Sequence, residues 1–404
     1  MIVKSYFPSQ VVSDVEKMSY DYGLKVAKAI EAEWFYTERG SNRYMTNHNN
    51  FHNLRLYARG EQSIQKYKDE LSINGDLSYL NLDWKPVPII PKFVDIVVNG
   101  IAERTYDIKA YSQDQNGVDK RTKYMEDILE DMRTEDFKSE VMENTGLNLF
   151  KSDMNTLPQT QEELELHMKL NYKQAVEIAE EQAINVLLEG SNYELTKKQF
   201  YYDLTVLGIG AVKTSFNTSE GVVVDYVDPA DLVYSYTESP YFDDIYYVGE
   251  VKNIPINELV KEFPHLTQED LEDIIKNRYY EKTNYNQGYN YAEQDNNKVQ
   301  VLYFNYKTYM NEVYKVKETG TGADKILEKD DTFNPPEDSD NFSKLQRSIE
   351  TLYDGALILG TDKLLRWEMA RNMLRPKSDF TKVKMNYAIV APRMYKGRIE
   401  SLVQ

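Results

Sequence analysis

The sequence predicts an α+β fold, and three features of the chain carry that prediction. Amphipathic and charged helical patterns fill most of the chain as far as Gly208. After Gly210 the pattern changes to alternating and β-branched segments, which are typical of strands. The length of 404 residues, at roughly 150 residues a domain, indicates two or three folded units.

The composition excludes several classes of protein. With 41% hydrophobic and 28% charged residues, the chain has the balance of a globular protein rather than a disordered one. Its longest apolar runs, such as Val87–Ile90 and Ala356–Leu359, are far too short to cross a bilayer. Residues 1–8 contain no long apolar stretch, so no secretory signal is expected.

The scarcity of reactive side chains narrows the possible chemistry. The absence of cysteine excludes disulfides, thiolate zinc sites, iron–sulfur clusters and cysteine nucleophiles. Only four histidines are present for metal binding or acid–base chemistry. The net charge of −18 disfavours tight wrapping on nucleic acid, although it suits a surface past which a polyanion moves without sticking.

Helices are expected through the first half of the chain. A capping box at Ser13–Glu16 begins a helix that reaches Phe35 and is interrupted at Gly23. The segment 80–91 is predicted to be extended, because its three prolines prevent a helix. A strand is expected at 105–111. The remaining helices are predicted at 53–71, 92–104, 119–143, 161–189 and 194–207.

The helix at 161–189 has the clearest pattern of these. Its apolar residues recur every three or four positions and form one stripe along the helix. Gly190 is expected to end the helix. The stripe comprises Met168, Tyr172, Ala175, Ala179, Ala183 and Val186.

The second half is predicted to be mostly strands. A hairpin spans 211–227, and short helices at 255–263 and 267–280 are divided by Pro264. Further strands are expected at 245–251, 299–306, 312–317, 348–353, 356–359 and 364–369. The segment 284–297 is rich in Tyr, Asn and Gln and is predicted to be a linker, while acidic residues and Pro335-Pro336 predict a disordered loop over 320–345.

No catalytic motif is complete. The segment Gly208–Thr214 contains two glycines followed by Lys213-Thr214, as a phosphate loop does. Its spacing differs from that motif, and a helix precedes the glycines while a strand follows them, so a simple turn is expected. His48 and His52 are expected in a solvated loop, and His167 is expected to pack at a helix boundary. The acidic pairs Glu162-Glu163, Glu180-Glu181 and Asp243-Asp244 are expected to be solvated.

The order of several segments along the chain is informative. They are Asn53–Gly60, Pro86–Gly100, Gly208–Lys213, Asp225–Val233, Tyr247–Glu250 and Ile256–Pro264. This order resembles the wing region of portal proteins of tailed bacteriophages, and the Tyr/Asn-rich character is similar to portals of crAss-like phages. The resemblance covers about residues 50–300 and rests on packing motifs rather than catalytic signatures.

The resemblance implies a portal-like fold with a helical wing, β-hairpins, a stem helix and a β-rich clip. On that template the wing-like domain is 1–260, and the stem-entry helix and linker are 261–297. The clip-like region is 298–392, and a returning stem helix begins at 393–404. The rest of the family's second stem helix, its tunnel loop and its crown would follow.

The resemblance also implies a function and partners. A non-enzymatic ring of twelve copies would sit at the capsid vertex of the virion, assembled in the host cytoplasm, with no cofactor and no membrane. Viral DNA would be packaged and ejected through the ring, which would contact the major capsid protein, the terminase motor and the head-tail connector or tail proteins. The candidate DNA-channel residues are Lys276, Arg278 and Lys282. The alternatives are another head-tail connector or virion structural protein, or a nucleotide-using enzyme.

Overall fold

A computed structural model of the chain contains two compact units and mixes helices with antiparallel sheets, which confirms the α+β class. The larger unit comprises 1–103 and 193–404, and the smaller unit comprises 104–192. The structure describes residues 6–35, 43–61, 64–72, 88–103, 107–112, 114–153, 157–170, 172–217, 221–277, 297–318, 324–330, 333–334 and 342–403.

The described helices and strands follow the chain in this order. The helices are α1 (Asp14–Lys17), α2 (Tyr20–Phe35), α3 (Arg43–Arg59), α4 (Gln65–Leu71), α5 (Ile90–Ala102), α6 (Gln115–Arg133), α7 (Glu135–Thr145), α8 (Gln161–Leu170), α9 (Ala175–Gly190), α10 (Tyr193–Val206), α11 (Ile256–Glu262) and α12 (Gln268–Asn277). The strands are β1 (Gly210–Asn217), β2 (Gly221–Val227), β3 (Leu232–Tyr234), β4 (Tyr247–Pro255), β5 (Lys298–Glu318), β6 (Asp324–Lys329), β7 (Phe342–Ile358), β8 (Leu364–Met369), β9 (Tyr387–Val390), β10 (Met394–Tyr395) and β11 (Arg398–Ile399).

The helix cap at Ser13 forms as predicted, but the interruption in the helix that follows it lies at a different position from the predicted one. The Glu16 amide donates to Ser13 Oγ at 3.3 Å, which confirms the cap. The break falls between α1 and α2 rather than at Gly23. Gly23 lies inside α2, and the Trp367 ring occupies the space that a Cβ would need, so this glycine allows close packing of the ring and does not end the helix.

Two other predictions in the first half were wrong. Helix α3 begins ten residues before the predicted start at 53, because Phe51, Leu54 and Ala58 form one apolar stripe that packs into the core. The predicted strand at 105–111 is not found over the described residues 107–112. There the amides of Ala110 and Ser112 donate to side-chain carboxylates instead of to a neighbouring strand.

The described residues of the smaller unit form four helices where two were predicted. Thr134, with φ −113° and ψ 14°, separates α6 from α7. Gln174 is extended and begins α9 with a capping box, in which its amide donates to Glu177 Oε2 at 2.9 Å. The core of this unit is small and centres on Ile128, Leu164 and Met168.

A six-stranded antiparallel sheet organises the larger unit. Its strand order is β3-β4-β5-β7-β8, with β6 added to the far end of β5. Side chains on one face, including Phe304 and Leu357, pack with α2. Those on the other face, including Val301 and Ile358, pack with α11 and α12. This alternation follows the two-residue period of strands, so both faces of the sheet centre are buried.

Strand pairing joins regions that the portal template assigns to different domains. β4 pairs with β5 from Tyr247↔Tyr306 to Pro255↔Lys298, and β1 pairs with β9. The expected wing-like residues 1–260 and clip-like residues 298–392 therefore share sheets. The division of this fold lies at the edges of the smaller unit, rather than near 260.

Part of the predicted disordered loop is ordered. Residues 324–329 form β6, which pairs antiparallel with β5 from Val313↔Lys329 to Glu318↔Asp324, and β7 already begins at Phe342. The average composition of the acidic segment conceals a short sequence within it that can form a strand. The free edge of β5 supplies backbone partners to the short Lys-Ile-Leu sequence within it. Most of the remaining predicted loop, like the linker at 284–296, lies outside the described residues.

The predicted returning helix at 393–404 is a short hairpin instead, as far as residue 403. Lys396 and Gly397 have φ values of 47° and 74°, which turn the chain so that β10 pairs with β11. Ser401 Oγ then donates to the Val206 carbonyl at 2.6 Å. Two consecutive positive φ values cannot continue a right-handed helix, and the end of the described chain packs against the end of α10.

Gly208 is where this C-terminal segment meets the core, and the position should not tolerate a side chain. Its φ is +81°, and a Cβ would collide with the Glu400 carbonyl oxygen. We expect Gly208→Ala to lower the free energy of unfolding by about 2–4 kcal/mol. Chemical denaturation followed by tryptophan fluorescence measures this, since Trp34 and Trp367 lie in the larger unit.

Gly208→Asn separates the two causes. Asparagine tolerates positive φ better than alanine, so it would restore most of the stability if backbone conformation were the whole cost. We expect it to be as damaging as alanine, because its Cβ meets the same carbonyl. A stable asparagine variant would contradict the proposed close contact.

Candidate functional site

The predicted DNA-channel residues fall at the end of α12 and beyond it. Lys276 lies in the last turn of α12 and is exposed. Arg278 and Lys282 lie outside the described residues. The structure therefore places only one of the three, and it places that one on the surface.

The rest of α12 is acidic on its outer face and apolar on its inner face. Ile274 is buried against the sheet, and Leu271 packs against the same cluster. The helix contains four acidic residues and one lysine, so its formal charge is −3. Lys363 forms an ion pair with Asp270, and hydrogen bonding to that lysine holds the pKa of the Asp270 carboxyl well below its usual range. Lys276 is consequently an isolated positive charge on an acidic helix.

A dense polar group in the larger unit lies on the sheet face beside α11. Glu250 of β4 is 1% exposed and accepts from Lys213 Nζ at 2.8 Å and from Tyr387 Oη at 3.2 Å. Lys252 Nζ lies 3.3 Å from the same carboxylate oxygen. We call Lys213, Glu250, Lys252 and Tyr387 the Glu250 cluster. It joins β1 and β9 to the six-stranded sheet.

A second polar group borders the Glu250 cluster. Tyr303 Oη donates to Glu262 Oε2 at 2.6 Å, and Lys213 Nζ lies 5.1 Å from the centre of the Tyr303 ring. Asn305 donates to Asp354, whose carboxyl pKa is raised by burial. Burial also raises the pKa of the Tyr303 and Tyr387 hydroxyls. Both hydroxyls therefore keep their protons at neutral pH and act as donors that hold strands and helix together.

A third polar group lies where α3 meets α10 and the end of β2. Arg55 donates to both carboxylate oxygens of Asp228, at 2.9 and 2.8 Å, and to Asp203 Oδ1 at 3.1 Å. Tyr226 Oη donates to the other oxygen of Asp203. Burial raises the pKa of the Asp203 carboxyl to about 6. We call Arg55, Asp203, Tyr226 and Asp228 the Arg55 cluster.

The Arg55 and Glu250 clusters were missed by sequence reasoning, although a signal was present. Arg55 lies between Leu54 and Leu56, and Glu250 follows Tyr247-Val248-Gly249 in an apolar strand. A charged residue inside an apolar segment that packs in the core needs a buried partner. The sequence does not say which distant residue supplies that partner.

The glycine-rich turn is a helix-to-strand turn, as predicted. Gly208 and Ile209 connect α10 to β1, so the backbone amides after the glycines belong to a strand rather than to a helix N-terminus. The Lys213 amine, which a phosphate loop would direct at phosphate, is bound to Glu250 instead.

The histidines are placed partly as expected. His48 and His52 lie on α3, one turn apart, and not in a loop. His167 packs against Tyr124, whose hydroxyl lies 3.2 Å from its Nε2, which confirms the packing prediction. Within the described ranges, no group of three or more His, Asp or Glu side chains is placed to hold a metal ion. Nor does any described helix have the length and apolar character needed to cross a membrane.

Asp131 is a buried carboxylate of the smaller unit that accepts several hydrogen bonds, and Glu177 is buried there as well. Asp131 accepts from Lys138 Nζ at 2.6 Å, from the amides of Lys151 and Ser152, and from Ser152 Oγ at 2.6 Å. These donors outweigh the effect of burial and lower the pKa of the Asp131 carboxyl. The group ties the segment after α7 back to α6. Its geometry is that of a structural anchor.

No protein-family model matches the chain, and no curated protein matches it either.

Proposed function

We propose that this chain is a subunit of a bacteriophage portal, a ring of copies at the capsid vertex through which viral DNA is packaged and ejected. The proposal rests on the order of segments described above and on one structural observation. Over its described residues, the smaller unit buries few apolar side chains and leaves many exposed.

That observation is the contrast between the core and the surface of the smaller unit. Its core cluster has three buried hydrophobic residues. Many large apolar side chains on its helices and connections are more than a third exposed, which is typical of a surface covered in an assembly. They are Val118, Met125, Phe137, Met142, Leu147, Leu149, Leu166, Leu170, Val176, Ile178, Ile184 and Val186.

In this role the chain has no catalytic step of its own. It would contact the major capsid protein, the terminase motor and the connector or tail proteins, while double-stranded DNA passes without sequence-specific contact. The net charge of −18 suits that passage, because a strongly cationic surface would hold the phosphates of the moving duplex. In a ring, Lys276 would repeat around the axis and touch DNA only weakly.

Electron microscopy of the purified protein tests the proposal. We expect rings of a uniform number of copies with a central hole, and native mass measurement should give a multiple of the chain mass of 47.3 kDa. A protein that stays monomeric at high concentration would contradict a portal. A defined oligomer without a central hole would favour another head-tail connector component.

DNA binding by the rings provides a second test. Binding should be weak, indifferent to sequence and steeply weakened by salt. Tight, sequence-selective and salt-resistant binding would identify a regulatory DNA-binding protein instead.

A further inference from the structure

Helix α5 has two apolar faces, and the described residues of the larger unit cover only one of them. Val94, Val98 and Ala102 are buried and pack toward the core of the larger unit. On the other side, Phe93, Ile96, Val97 and Gly100 follow the i, i+3, i+4, i+7 spacing of a second helix-packing face. Phe93 is 61% exposed and Ile96 is 58% exposed. A Cβ built on Gly100 would meet no atom within 4 Å. We call these four residues the α5 face.

Helix α9 of the smaller unit also has an uncovered face. Val176 is 58% exposed and Val186 is 67% exposed. At about 100° a residue, Ala175, Ala179 and Ala183 lie on the same side of the helix, and all three are exposed. Four of these five residues belong to the stripe predicted from the sequence, which was expected on a single long helix. We call the five residues the α9 face.

The charges beside the two faces are opposite. Lys92 adjoins the α5 face, and Arg59 lies with Lys92 and Ile96 on the same shallow groove, although Asp95 is also present there. Helix α9 has no basic residue and has four glutamates. By helical geometry Glu180 and Glu189 border the α9 face on its two sides. Small alanines on one helix and a large Phe93 on the other allow the two surfaces to approach closely.

We propose that the α5 face of one copy binds the α9 face of a second copy. This inference rests on the proposed ring and specifies how neighbouring copies meet in it. A closed ring requires two different, complementary patches on every copy, because a patch that binds only itself produces a dimer and stops. The α5 and α9 faces satisfy that requirement in shape, polarity and charge.

Cysteine cross-linking tests the contact directly, because the chain has no cysteine of its own. Phe93→Cys and Val186→Cys are prepared as separate single variants, mixed during assembly and treated with a bis-maleimide linker of about 10 Å, the spacing of packed helices. The mixture should give a covalent dimer, which neither single variant gives alone. The double variant should give a ladder of covalent multimers.

Asn99→Cys mixed with Asn185→Cys is the matched control, since both residues are exposed and lie on the polar sides of the same two helices. The yield of covalent dimer from the Phe93→Cys and Val186→Cys mixture should exceed that of the control by about tenfold or more. Two residues that a contact keeps adjacent have a high effective concentration for the linker.

The remaining outcomes separate this contact from the ring itself. Rings seen by electron microscopy without the dimer would overturn the contact and leave the portal proposal standing. A link formed only within single chains, or between two copies of Phe93→Cys, would also overturn it. The dimer without rings would support the contact and reject the portal.

Discussion

Replacing Arg55 by methionine should lower the free energy of unfolding of the larger unit by about 3–5 kcal/mol. The guanidinium binds Asp228 through two hydrogen bonds and reaches Asp203, whose side chain is 3% exposed. Methionine fills a similar volume but leaves the Asp203 carboxylate without its positive partner. Chemical denaturation at pH 7, followed by tryptophan fluorescence, measures the loss.

The loss of stability caused by Arg55→Met should become smaller as the pH falls. Burial raises the pKa of Asp203 from its ordinary value of 3.8 to about 6, so the folded chain binds this proton more tightly than the unfolded chain. Stability contributed by Asp203 therefore increases as the pH falls from above 6 toward 4. Without Arg55 the pKa rises further and this gain becomes larger. A difference between variant and wild type that is the same at pH 5 and pH 7 would contradict the assignment.

Two control variants isolate the cause. Arg55→Lys keeps the charge but cannot form the bidentate hydrogen bonds to Asp228. We therefore expect it to lower the free energy of unfolding by an intermediate amount, about 1–3 kcal/mol. Combining Arg55→Met with Asp203→Asn removes the buried carboxylate that has lost its positive partner. We expect this double variant to recover part of the stability at pH 7.

Removing the carboxylate at the centre of the Glu250 cluster should have an effect of similar size. We expect Glu250→Ala to lower the free energy of unfolding by about 3–4 kcal/mol, since the Lys213 amine and the Tyr387 hydroxyl both lose an acceptor in the interior. Tyr387 is 4% exposed and the Lys213 side chain is 19% exposed, so water can replace the lost acceptor for Lys213 only in part and for Tyr387 hardly at all. The measurement is denaturation of the larger unit at pH 7.

A double-mutant cycle tests whether the ion pair is the cause. Lys213→Met alone should also destabilise, because it removes the nearest cation of Glu250, while the double variant Lys213→Met with Glu250→Met should be more stable than either single variant. Additive losses would show that the two side chains do not act as a pair. The contacts of Glu250 with the other two residues of the cluster, Lys252 and Tyr387, would then have to account for the effect.

Local sequence patterns were sufficient where the interaction partners are near in the chain. The serine cap at Ser13, the hairpin of β1 and β2, the turn at Gly208 and the helices divided by Pro264 were predicted correctly. Each depends on a side chain and a backbone group a few residues apart, or on the conformational limits of glycine and proline. The apolar stripe of α9 was likewise visible in the sequence.

Only the tertiary structure decided which of these features meet. β6 forms because the edge of β5 accepts it, and Gly23 is a packing position for Trp367 rather than a break in α2. Arg55 and Glu250 find partners more than thirty residues away, which no local pattern specifies. The stripe of α9 lies exposed in the single chain, since periodicity determines which face is apolar and only packing determines whether that face is covered.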